Sequence, residues 1–140
     1  MPYTVYENSL LAYDIDIKNR SFLEWLAAHT SFLKPLHRYQ GVLKVDEEAV
    51  VFDGKNKNGY VEFNLTILID NIIEVFLGYD ELFRRREDRS LGLRGFEPLR
   101  IRFETKRGQQ TIYIFVGYHW MRTSQNRRLY KQLQTFSNNS

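Results

Sequence analysis

From residue 39 to residue 116 the apolar side chains recur at every second position, in short runs broken by turn residues. That period restricts the fold class more than any other feature of the chain. Tyr39, Gly41, Leu43 and Val45 alternate with Gln40, Val42, Lys44 and Asp46. Asp46-Glu47-Glu48 form a tight acidic turn into a run at 49–53, and 54–59 is loop by composition. The clearest run sets Val61, Phe63, Leu65 and Ile67 on one face and Glu62, Asn64 and Thr66 on the other. After Asp70-Asn71, the residues Ile73, Val75, Leu77 and Tyr79 alternate again. Leu99, Ile101 and Phe103 oppose Arg100, Arg102 and Glu104, and Lys106-Arg107-Gly108 turn the chain into Ile112, Ile114 and Val116. The polar stretch 80–98 has room for one short strand at 91–94. About seven closely spaced strands with short turns predict an antiparallel sandwich or barrel, each strand burying one face.

The flanks have a different period. Residues 1–18 are mixed, with short extended pieces at 4–6 and 10–17. Phe22, Trp25, Leu26, Leu33 and Leu36 form a helical stripe that Pro35 stops. At the other end Thr123 or Ser124 is placed to cap a helix. Leu129, Leu133 and Phe136 make its apolar stripe, with Arg127, Arg128 and Lys131 opposite, and 137–140 read as a frayed tail. The longest apolar-leaning stretches, 22–36 and 65–79, are interrupted by charged and polar residues and fall short of the ~20 apolar residues of a spanning helix. Residues 1–18 lack the pattern of a signal peptide, so a soluble, cytoplasmic protein is expected.

Seven strands followed by one amphipathic helix resemble the pleckstrin-homology-like (PH-like) superfold, in particular its bacterial PH-like and GRAM-like members. The residues that carry the resemblance are 41–45 and 49–52 as a first hairpin and 63–72 as a strand and turn. Leu99 to Val116 correspond to the last hairpin and Thr123 to Phe136 to the closing helix. The resemblance implies a seven-stranded antiparallel barrel over 39–136, closed by the C-terminal amphipathic helix, with 1–38 as an N-terminal helical extension packed on it. Many members bind phosphoinositides through basic residues around the loop between the first two strands. On this alignment that loop is Asp46-Glu47-Glu48, whose carboxylates repel a phosphorylated headgroup.

The net charge of +3 conceals a strong polarity. Residues 1–83 carry 7 Lys or Arg against 13 Asp or Glu, residues 84–107 carry 9 against 4, and residues 108–140 carry 4 against none. Arg84, Arg85, Arg86, Arg89 and Arg94 lie on one predicted loop and are the candidate site for an anionic lipid or another phosphorylated ligand, since the guanidinium fork suits phosphate oxygens. Solvated arginines paired with nearby acids are the competing expectation. Phe22, Trp25, Leu26 and Leu33 are the candidate partner surface, or else a cover for an exposed sheet edge. Aromatics interleave with this basic region, but no RNA-binding signature accompanies them, so nucleic acid is not the expected partner.

Catalytic patterns are sparse. The chain has no cysteine, which removes thiolate nucleophiles, thiolate metal sites and disulfides. Asp14 and Asp16 make a D-x-D with no further ligand at metal spacing, and His29, His37 and His119 are scattered. No phosphate-binding glycine motif or nucleophile elbow is present. The expectation is a non-catalytic module without a cofactor. It recognises a protein, a peptide or itself, with an anionic membrane surface as the alternative.

Overall fold

The computed structural model describes residues 3–18, 37–56, 59–78, 80, 97–118 and 124–138. It is mainly β. Seven strands form one antiparallel sheet: β1 (Thr4–Tyr13), β2 (Tyr39–Val45), β3 (Ala49–Asn56), β4 (Glu62–Leu68), β5 (Ile72–Leu77), β6 (Leu99–Thr105) and β7 (Gly108–Phe115). A short helix α1 (Asp14–Lys18) follows β1, a single 3-10 turn (Ile69–Asn71) joins β4 to β5, and helix α2 (Asn126–Asn138) ends the chain. The strand order is β4-β3-β2-β1-β7-β6-β5. Among the described residues the hydrogen-bonded ladder is open, with β4 at one end and β5 at the other.

The middle of this sheet is β1, and the division expected at residue 38 therefore runs through the domain. Thr4 to Leu11 pair with β2, and Leu10 to Tyr13 pair with β7, so one strand joins the two halves. Its period is hidden for a physical reason. A bulge interrupts the pairing between Tyr6 and Ser9, where Asn8 has φ 51°, and Ser9 to Ala12 are then buried on both faces. A strand buried on both sides shows no alternation. Tyr13 ends the extended stretch, and Asp14–Lys18 are helical where an extended piece is expected. The predicted helix around Phe22 to Leu36 and the short strand at 91–94 lie outside the described residues. At the other end α2 runs on to Asn138.

The inner faces make one core. Leu43, Val45, Val50, Phe52, Ile67, Leu99, Ile101, Phe103, Ile112 and Ile114 are buried there, as the alternation predicts. Leu129 and Leu133 of α2 enter the same cluster, and α2 packs against β5 and the 3-10 turn. Three side-chain contacts fix the helix to the sheet. Tyr6 donates to Gln132 Oε1 at 2.8 Å, and Gln132 Nε2 donates to Thr4 Oγ1 at 2.9 Å. Arg128 stands 5.7 Å from the Tyr6 ring centroid. A smaller cluster on the outer face joins Leu10, Ala12, Ile17, Tyr113, Phe115 and Tyr118, so β1 and β7 are buried from both sides.

Candidate functional site

The two sequence-predicted sites, Arg84, Arg85, Arg86, Arg89 and Arg94, and Phe22, Trp25, Leu26 and Leu33, lie outside the described residues. The ends of the arginine-bearing connection are described, and both are held. Gly78 N donates to Pro98 O at 3.0 Å, bringing the end of β5 to the start of β6. Asp80 Oδ2 accepts from Arg100 Nη1 at 2.9 Å and from the Tyr113 hydroxyl at 2.7 Å. Beside it, Arg100 Nη2 donates to Glu74 Oε1 at 2.6 Å, and Arg102 Nη2 is 3.4 Å from Glu74 Oε2.

Cross-strand register builds this cluster. Ala12, Tyr113, Arg100 and Phe76 stand opposite one another across β1, β7, β6 and β5 on the outer face. The Arg100 guanidinium accordingly lies 4.8 Å from the Phe76 ring centroid. Burial works against the charge on Arg100, but the hydrogen bonds and charges of Glu74 and Asp80 outweigh it and hold the group more firmly protonated. Burial also raises the Tyr113 pKa, and the Asp80 carboxylate raises it further, so the hydroxyl remains a donor. Arg100 and Arg102 are thus engaged by internal carboxylates, which commits Arg100 in particular to an anchoring role.

The acidic turn is not the connection between the first two strands. It joins β2 to β3, and the connection between the first two strands spans 14–38. Asp46 Oδ1 accepts from Glu48 N at 2.8 Å and Ala49 N at 2.9 Å, and those backbone donors hold its pKa below the ordinary aspartate value. Asp46 therefore closes the hairpin. The D-x-D aspartates are used locally as well. Asp14 Oδ1 accepts from Ile15 N, and Asp16 Oδ2 accepts from Tyr13 N, with Arg38 Nε 3.8 Å from Asp16 Oδ1. Among the described residues no group of three or more His, Asp or Glu could hold a metal ion.

The surface best equipped to receive a ligand is the edge of β4. Among the described residues β4 pairs with β3 alone, in unbroken register from Glu62 opposite Lys55 to Leu68 opposite Ala49. Half of its backbone N–H and C=O groups therefore point away from the sheet. Phe63, Leu65 and Ile67 face inward, while Glu62, Asn64, Thr66 and Leu68 are exposed. Apolar surface flanks the strand at both ends, with Tyr60 87%, Val61 57% and Leu68 51% exposed. Just before the strand, Asn56 Oδ1 accepts from Tyr60 N at 3.2 Å and Val61 N at 3.3 Å.

The opposite edge differs. In β5 the register shifts between Ile72 and Glu74, and Glu74 and Phe76 are committed to the arginine cluster. A bulge and central charges protect a sheet edge from further pairing. The strand of β4 has no bulge, no proline and no cation. Its alternation is plain in the sequence, but its position at the edge follows from the strand order and so had no signal there. No protein-family model and no curated protein matches the chain. Among the described residues no helix is long and apolar enough to cross a membrane.

Proposed function

We propose that this chain is a PH-like, non-catalytic binding module that recognises a protein segment by adding it as a strand to the edge of β4. The strand order supports the family reading, with β4-β3-β2-β1 followed by β7-β6-β5 and then by the C-terminal helix α2, whose Leu129 and Leu133 enter the core. The observation that carries the functional reading is the regular β4 edge, which among the described residues pairs with β3 alone. Backbone hydrogen bonds along such an edge give affinity, and alternate side chains give specificity. A cytoplasmic location, with peripheral contact to the inner face of a membrane as the alternative, is part of the same proposal.

The test is a titration of the isotopically labelled chain with short, blocked, extended peptides that carry apolar residues at alternate positions. Perturbed backbone amides should concentrate in Glu62 to Leu68 and their partners on β3. Perturbation confined to other strands would overturn the reading. The rival is recognition of anionic lipid by Arg84, Arg85, Arg86, Arg89 and Arg94. Salt-sensitive co-sedimentation with anionic vesicles, lost on replacing Arg84, Arg85 and Arg86 by Ala, would mark that outcome.

A further inference from the structure

We infer that the segment received by the β4 edge is β4 of a second copy of this chain, paired antiparallel about a two-fold axis at Leu65. This rests on the reading of β4 as a strand-accepting edge and names its partner. A two-fold at Leu65 sets Glu62 opposite Leu68, Phe63 opposite Ile67, Asn64 opposite Thr66 and Leu65 opposite itself. Inward-facing residues then meet inward-facing ones, and outward meet outward. The apolar faces of the two copies become continuous, and the neutral amide and hydroxyl of Asn64 and Thr66 meet twice.

Other registers are poorer. A slip of one residue turns the second copy's apolar face to the opposite side of the joined sheet. Centring the pair on Thr66 sets Glu62 against Asp70 of the second copy, a like-charge contact at each end. Centring it on Leu65 pairs all of Glu62–Leu68 and places the one charged side chain of the strand against Leu68. It also sets the exposed Tyr60 diagonal to the exposed Leu68 of the second copy, two positions along and on the same face. The two-fold repeats this approach of Tyr60 and Leu68 at both ends of the pair.

The absence of native cysteine permits a register-specific test on the full chain. Light scattering should give twice the 16.8 kDa monomer mass, falling to the monomer on dilution. Mixing an Asn64→Cys chain with a Thr66→Cys chain under mild oxidation should give a disulfide-linked dimer far faster than either chain alone. The double variant Asn64→Lys, Thr66→Lys opposes lysines at two places and should weaken self-association by about tenfold or more. Mixing it with Asn64→Glu, Thr66→Glu should restore association, and circular dichroism checks that both variants are folded. A strict monomer at the highest reachable concentration overturns the inference, as does a dimer indifferent to these charges. A monomer whose β4 amides still respond to extended peptides overturns the second copy and leaves the edge reading standing. No response at β4 overturns both.

Discussion

The Tyr113 hydroxyl donates to Asp80 Oδ2 at 2.7 Å, linking β7 to the root of the connection that carries the five candidate arginines. Burial and the neighbouring carboxylate both favour the neutral phenol, so its folded pKa is raised above that of an unfolded tyrosine. A raised folded pKa gives stability that is complete below the unfolded value, about pH 10, and is lost as pH rises towards the folded one. Tyr113→Phe should cost about 1 kcal/mol near neutrality and make the alkaline loss less steep. Tyr6 and Tyr13 are shifted in the same direction, so part of the slope will remain. Urea midpoints compared near pH 7 and in the alkaline range check both parts.

Gly41 and Gly54 stand opposite each other across β2 and β3, and the backbones approach too closely there for a side chain. A Cβ on Gly41 would fall 2.1 Å from Asp53 O and 2.4 Å from Gly54 Cα. The glycines line up with Phe63 on β4, whose ring stacks on Tyr39 at a centroid separation of 3.8 Å. Because the clash is with backbone, Gly41→Ala should destabilise by about 2–3 kcal/mol, measured by chemical denaturation.

Asn126, at the start of α2, is buried and holds three chain segments together. Its Oδ1 accepts from Val116 N at 2.8 Å, and its Nδ2 donates to Ile114 O at 3.0 Å and Glu97 O at 2.8 Å. Asn126→Ala leaves the Val116 donor without this partner and should cost about 2–4 kcal/mol. Asn126→Asp should cost more, because a carboxylate would face two carbonyl oxygens. Thermal denaturation of both variants gives the order.

At low pH the relevant group is Asp46. Backbone donors lower its pKa, so its contribution is present above the unfolded value and disappears as pH falls through the lower folded one. Asn at this position can accept the same hydrogen bonds without titrating. Asp46→Asn should therefore flatten the loss of stability measured between about pH 5 and pH 2.

The period-two pattern was enough to place the core-facing residues of β2, β4 and β6, which bury one side. In β5 it set Ile73 inward, where the structure exposes Ile73 beside the register shift and turns Ile72 to the core, and β7 is buried on both sides from Ile112 to Phe115. The pattern missed β1, whose residues 9–12 are buried on both sides after the bulge at Asn8. That omission moved the first inter-strand loop to the acidic turn, where the structure has the second hairpin. Arg100 was legible as an outward-facing cation. Its partners, Glu74 and Asp80, lie 26 and 20 residues away and come close only through the pairing of β5 with β6 and the held loop root. The alternation of β4 was legible too, but its exposure as an edge depends on strand order.

The most direct measurement is amide hydrogen exchange along β4, followed residue by residue with and without an occupant of its edge. The edge reading predicts that alternate amides of Glu62 to Leu68 exchange rapidly in the dilute chain. They should become protected when an extended peptide or a second copy binds, with smaller changes at β1. Binding that leaves those amides as rapidly exchanging as before would contradict it.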